Sequence, residues 1–331
     1  VVSGAVTACS DVSAQENSHA YPALLSAQDQ ATIAYRDTLR PLDPCGYFDD
    51  AAVQPIGTPD YVGAFGDFSE CEASFEPADG RRSWITVNMY PHLPDTPLLH
   101  PIGELWDSSE SDCDGAAVAV DDRMDITVQA SVYDRDGRQI HPCPVVRDIA
   151  RAAVRHWSER PLRASSRRAH MNSRLATLDP CAVLGAVGQG HHPALVADDG
   201  PKPSAQPALG YNANPWECAF LLDTGDVSTF QDIRYKFGSD DFERNVGGDR
   251  KAVTIGGLRA LEKSEPGPDN AARPCVIDLS TSPQPAGPGR DRHNVVDTYS
   301  NEIISIEARN GCAAARATAE ELVRLYSQLP R

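Results

Sequence analysis

The tetrapeptide Leu-Asp-Pro-Cys occurs twice, at residues 42–45 and 178–181, and each copy opens a run of four cysteines. Cys45, Cys71, Cys113 and Cys143 follow the first copy; Cys181, Cys218, Cys275 and Cys312 follow the second. Other landmarks recur in the same order. Glu70-Cys71 matches Glu217-Cys218, and Ile102-Gly103 matches Ile255-Gly256. CPVVRDIARAAVRHW, from Cys143, matches CAAARATAEELVRLY, from Cys312. Ordered landmarks spanning both halves indicate an internal duplication, with a period too long for a solenoid. The expected organisation is residues 1–40 as signal remnant, lipid anchor, tether and helix, then a first unit at 41–158. An Arg-rich linker at 159–175 and a second unit at 176–331 complete it.

Each unit reads helix, strands, helix. Asp43-Pro44 and Asp179-Pro180 suit helix starts, because Asp accepts from free backbone N–H groups and Pro fits the first helical position. SWITVNMY and STFQDIRYKF have strand composition. Ile126, Val128, Ala130 and Val132 share one face at period two, as do Ile304, Ile306 and Ala308. Val146, Ile149, Ala153, Val154 and Trp157 form a helical stripe, as do Ala315, Ala319, Leu322, Val323 and Tyr326. The expected fold class is therefore α+β. It has two homologous disulfide-braced domains, each an antiparallel sheet with a short N-terminal helix and a C-terminal helix.

Eight cysteines in a chain that reads as exported favour disulfides over metal. No C-x-x-C occurs and no Cys/His group has zinc spacing. Four cysteines in a unit allow three pairings. The third cysteine begins a strand and the fourth follows the next strand, so their ends lie side by side in an antiparallel pair. This predicts Cys275–Cys312 and, by homology, Cys113–Cys143. Cys45–Cys71 and Cys181–Cys218 remain.

The ninth cysteine stands apart. Val6-Thr7-Ala8-Cys9 resembles a bacterial lipobox, whose cysteine carries lipid. Cys9 is thus the expected lipidation site, and residues 1–8 are either a signal remnant or the end of a transmembrane helix. No run of 18 apolar residues exists to span a bilayer. The net charge of -17 makes nucleic acid an unsuitable partner, since phosphate contacts need clustered Lys and Arg. Against that charge, the arginines of 158–177 stand out. They either meet an anionic surface or bridge acidic faces of the protein's own units.

The two LDPC turns, Trp216-Glu217-Cys218 and the late cysteine opening a final helix together resemble a group of actinobacterial exported lipoproteins with a domain of unknown function. The cysteine layout is similar to that of the extracellular sensor domains of mycobacterial serine/threonine kinases. The resemblance covers 41–158 and 176–329, and implies a PsbP-like α/β sandwich outside the cytoplasmic membrane. It implies no catalytic residue. The first unit lacks an aromatic immediately before Glu70, and two copies replace the single domain of that group.

No reaction motif is present: neither G-x-S-x-G nor H-E-x-x-H occurs. Gly185–His192 matches no phosphate loop and reads as a helix end and turn. His191-His192 lacks a third metal ligand. Tyr133–Ile140 lacks the acidic end of a calcium loop, so it reads as a hairpin turn with Gly137 at positive φ. The four tryptophans read as core. No catalytic residue, metal or cofactor is expected. The expected function is that of a non-enzymatic, lipid-anchored protein on the outer face of the cytoplasmic membrane. It would be an accessory subunit of an envelope membrane-protein complex, or bind an envelope lipid or glycan. A secreted hydrolase without a recognisable motif would need a deep pocket with convergent His and carboxylates. A sensor ectodomain would need a transmembrane helix ending at residue 8.

Overall fold

A computed structural model describes residues 21–78, 81–91, 100–107, 115–134, 136–196, 214–238, 250–264, 274–281 and 301–330. Each LDPC opens a 3₁₀ turn, Pro44–Tyr47 and Pro180–Val183. The capping acids act as their chemistry requires. Cys45 N–H donates to Asp43 Oδ1 at 2.8 Å, and Cys181 N–H donates to Asp179 Oδ1 at 3.0 Å. Cystines pin both turns to strands: Cys45–Cys71 with Cα atoms 5.0 Å apart, and Cys181–Cys218 at 5.3 Å. A third disulfide, Cys275–Cys312, joins two ends brought together by an antiparallel pair, in which Cys275 lies opposite Ala308. These are three of the four expected pairs. Cys143 is unbridged. Its expected partner Cys113 lies outside the described residues, as does Cys9.

The first unit holds β1 (Tyr61–Phe65), β2 (Asp67–Ala78), β3 (Arg81–Pro91), β4 (Leu105–Asp107), β5 (Gly115–Asp121), β6 (Met124–Tyr133) and β7 (Gln139–Ile140). The second holds β8 (Ala194–Leu195), β9 (Glu217–Leu221), β10 (Phe230–Gly238), β11 (Arg250–Ile255), β12 (Leu258–Ser264), β13 (Cys275–Ser280) and β14 (Asn301–Ala308). All pairings between the described strands are antiparallel. The order β1-β2-β3-β6-β5-β4 in the first unit is repeated as β8-β9-β10-β14-β13-β12 in the second, with β11 added outside. The duplication is thus visible as topology as well as letters. Gly137 has φ 72° in the β6–β7 turn. Gly256 and Gly257, at φ 55° and 85°, form the two-residue turn between β11 and β12, where both positions need positive φ.

Helices α1 (Ala27–Leu39), α2 (Cys143–Trp157), α3 (Leu184–Val187) and α4 (Cys312–Gln328) complete the framework. The apolar stripe of α2 packs on β5 and β6, and that of α4 packs on β13 and β14. The covered sheet face carries Ile85, Val87, Ile126 and Val128 in the first unit and Ile233, Tyr235, Ile304 and Ile306 in the second, all buried. Period two turns Thr127, Gln129, Arg234 and Ser305 to the opposite face. No described helix is long and apolar enough to cross a membrane.

The units are less separate than the sequence suggests. Their sheets meet edge to edge through one bridged pair, Lys236 opposite Asp67, with Phe237 N–H donating to the Gly66 carbonyl at 2.8 Å. Phe68 of the first unit sits in the second unit's core, stacked on Phe237 with centroids 4.5 Å apart. Helix α1 also serves both cores: Leu39 joins the first and Ile33 the second. The segment 159–175 is laid along the joint, where Ala169 exchanges backbone hydrogen bonds with Val62 and Ala64 of β1. Arg163 is buried, whereas Arg167 is exposed. Arg168 pairs with Asp50 at 2.6 Å, and Arg174 donates to the Leu329 carbonyl at 2.8 Å. Arg168 thus meets an acid of the first unit, as the bridging alternative expects, whereas Arg174 bonds backbone.

Candidate functional site

Two segments with the same three letters cross at the joint. Arg40-Pro41-Leu42 and Arg160-Pro161-Leu162 pair antiparallel: Asp43 N–H donates to the Pro161 carbonyl and Arg163 N–H to the Pro41 carbonyl, both at 2.9 Å. From this crossing each unit reaches across to the other. Arg40, leading into the first LDPC, donates to the Pro215 carbonyl and pairs with Asp179 at 3.3 Å. Arg163 donates to the Phe68 carbonyl. Pro215 and Phe68 each lie three residues before the strand cysteine of their unit. The contacts are therefore equivalent and exchanged. Arg36 adds a third tie, donating to the Glu217 carbonyl and to Cys181 Sγ at 3.3 Å. Burial lowers the Arg163 pKa to about 9, against the pull of Asp43 and Glu302, and burial likewise lowers that of Arg36. The two units are held in one fixed relation by buried cations bonded to backbone.

That relation opens a cleft on the helix-free face. One edge of β10 is occupied first by β9, with Glu217 opposite Arg234, and then by the start of β2, with Asp67 opposite Lys236. Two strand starts cannot continue along one edge, so β2 diverges from β10 and a gap opens between β2–β3 and β9. On the core side Phe68 wedges the gap. On the open side lies a cavity of about 290 Å³. Asp67 and Ser69 of β2, Asn88 and Tyr90 of β3, and Thr127 and Gln129 of β6 form one wall. Asn214, Trp216, Glu217 and Arg234 form the other.

Charge in the cleft is largely compensated from within. Arg234 Nε lies 2.7 Å from Asp232 Oδ2 and 3.0 Å from Glu217 Oε1. Burial, reinforced by the charge of Asp232, raises the Glu217 pKa to about 8. The repeat has a second such acid. Glu70, the counterpart of Glu217 beside its cystine, is pushed up to about 8 by burial and by Asp67 and Glu72.

No nucleophile paired with a base lines this cleft among the described residues. His191 bonds Asp223 at 2.9 Å and His156 bonds Glu159 at 3.1 Å, both on the surface. Glu262, Cys275 and Cys312 place ligand-type atoms together, but the two cysteines form a disulfide and Arg316 holds Glu262 at 2.5 and 2.8 Å. Trp216 is buried, with Nε1–H donating to the Ala176 carbonyl at 3.1 Å, so it is both core and cleft floor. Trp106 stacks on His100 with centroids 4.2 Å apart.

The cleft is composed of residues that sequence motifs do not mark. Two signals for it exist: Glu beside the strand cysteine in both units, and Asp232, Arg234 and Lys236 alternating along β10 with buried Ile233 and Tyr235. Comparison with family models, curated proteins and solved structures finds no match. The functional reading therefore rests on the geometry and on the sequence.

Proposed function

We propose that this chain is a non-enzymatic binding protein of the cell envelope, lipidated at Cys9 and held on the outer face of the cytoplasmic membrane. In this reading it serves as a binding or accessory subunit of an envelope membrane-protein complex or binds an envelope lipid or glycan, and each unit is a variant of the PsbP-like sandwich. One observation carries the binding role: the cleft exists only where the two units join, and buried arginines from both sides fix its walls. Pre-set walls favour binding because little conformational freedom is lost when a ligand enters. Three disulfides support an oxidising location.

The secreted-hydrolase alternative draws on Glu217, a buried acid at the cleft wall. Among the described residues no histidine lines the cleft, and Glu217 Oε1 lies 3.0 Å from Arg234 Nε, which also bonds Asp232. The sensor alternative differs at the N-terminus. Mass spectrometry of the native protein tests the anchor: a diacylglycerol adduct on Cys9 as first residue is expected, and an unmodified Cys9 following an intact upstream helix would overturn it. Co-purification from native envelope in mild detergent tests the subunit role, with one stoichiometric membrane complex as the expected result.

A further inference from the structure

We infer that the cleft at the joint binds an uncharged sugar ring of a glycan, which deepens the binding role proposed above and rests on it. The inference starts from the wall chemistry. Asn88 and Gln129 carry amides, each offering a donor and an acceptor in one plane, and Ser69 and Thr127 add hydroxyls. Neighbouring hydroxyls of a sugar both donate and accept, so mixed walls of this kind suit them. Among the described residues Gln129 and Thr127 have no side-chain hydrogen bond, and Gln129 is exposed, so their capacity is available to a ligand. Asn88 is engaged only weakly, by Ser69 Oγ at 3.5 Å.

The electrostatics exclude other classes. A phosphate or carboxylate ligand would find no uncommitted cation among the described lining residues, because Arg234 is already shared between Glu217 and Asp232. A cationic ligand would have to displace Arg234 from those acids. An acyl chain would leave the amides and hydroxyls buried without partners, an unfavourable exchange for hydration. An uncharged polyol meets none of these penalties. Tyr90 and Pro91 sit at the rim of the cleft. At about 290 Å³ the space lies at the lower limit of ligand pockets, about 300 Å³. It accommodates one or two rings, with further residues of the glycan lying outside.

The test uses the full oxidised chain and saturation-transfer NMR with uncharged hexose, pentose and N-acetylhexosamine disaccharides, beside spermidine and inorganic phosphate. Transfer to ring protons of at least one disaccharide is expected, with affinity at least tenfold weaker in T127A/Q129A. Both changes lie on the helix-free face and leave the core intact, and circular dichroism checks their folding. No transfer to any disaccharide, or equal transfer in the variant, overturns the assignment. Stronger transfer to spermidine or phosphate also overturns it. Neither result touches the anchor at Cys9, which mass spectrometry decides separately. Conversion of a disaccharide to monosaccharides would uphold the ligand class and overturn the non-enzymatic reading.

Discussion

The guanidinium of Arg163 lies 4.4 Å from the centre of the Trp216 indole, which places a linker cation on an aromatic ring of the second unit while its Nη2 bonds Phe68 of the first. Arg163 is 4 % exposed, and its Nη1 also donates to the Met171 carbonyl at 3.3 Å. Arg163→Ala would leave two carbonyls without their donor and remove the stacking contact. The expected loss is about 2–4 kcal/mol. Arg163→Lys rescues little, because a single ammonium does not reproduce the planar fork. Urea denaturation reads the outcome: a lower midpoint, and a transition broadened or split as the units uncouple. An unchanged, single transition would show that the joint does not depend on Arg163.

Gly46 tests the same crossing from the other strand. A Cβ there would stand 2.2 Å from Pro161 Cβ, closer than packed atoms approach. Pro161 has no flexible side chain to move aside, so the Leu42–Leu162 bridge must open. Gly46→Ala is expected to cost about 1–3 kcal/mol, the range for overpacking. Amide exchange should accelerate at Asp43 and Arg163, whose N–H groups close the crossing. Amides of the β3–β6 pair, away from the crossing, should stay protected.

Much of this was legible beforehand, and the boundary of legibility has a physical cause. Strands and helices such as β6 and α2 follow from local periodicity, and the LDPC turns from capping chemistry, because nearby residues determine them. Cys275–Cys312 follows from strand ends that must lie together, and Cys181–Cys218 is the pair that remains. The joint is different. Arg36, Arg40 and Arg163 look like surface charges in sequence, and only the meeting of two units buries them against carbonyls. The Arg-Pro-Leu repeat is hidden in the sequence because its copies stand at different offsets from the two LDPCs. The cleft arises from β2 diverging from β10, a long-range packing event that no spacing encodes. Phe68 shows this most directly, since its sequence neighbours assign it to the first unit and its ring fills the core of the second.

Glu70 gives a pH prediction. Its pKa stands at about 8 when folded, raised by burial and by the acids Asp67 and Glu72, against an ordinary value of 4.5. The folded state therefore holds a proton that the unfolded chain has lost between these values. This contribution to stability is fully present below about pH 4.5 and is lost as pH rises through about 8. Glu217 acts in the same direction. Glu70→Gln keeps the shape and cannot ionise. It should be near neutral at pH 5 and stabilising at pH 8.5 by on the order of 1–2 kcal/mol. Thermal unfolding at both pH values checks this, and equal shifts at both would contradict the burial argument.

The disulfide Cys275–Cys312 anchors the start of α4 to β13 across a separation of 37 residues. Restricting a loop of this length in the unfolded chain is worth about 3–4 kcal/mol. C275S/C312S should lose roughly that amount in urea denaturation. Wild type treated with reductant should lose more, since Cys45–Cys71 and Cys181–Cys218 open as well. If the double variant equals wild type, the helix is held by Ala315, Ala319 and Leu322 alone.

Helix α1 precedes the first unit in sequence yet belongs equally to the second. Just before it, Tyr21 donates its hydroxyl to Asp179; within it Arg36 reaches Cys181 and Glu217 and Ile33 packs in the second core, and Arg40 at its end donates to the Pro215 carbonyl. Removing residues 1–40 therefore withdraws buried apolar surface and three polar partners from a unit whose own LDPC begins at residue 178. The expected outcome is a large destabilisation of the second unit, with Trp216 exposed enough to shift its fluorescence to longer wavelength. Helix α1 also touches the first unit, where the Tyr35 hydroxyl donates to the Arg123 carbonyl at 3.0 Å and Leu39 enters the core. If the truncated chain instead unfolds as wild type does, the two units are self-sufficient and α1 is only a tether. Adding residues 21–40 back as a separate peptide distinguishes the cases further: rescue of Trp216 fluorescence is expected if α1 docks through its own contacts.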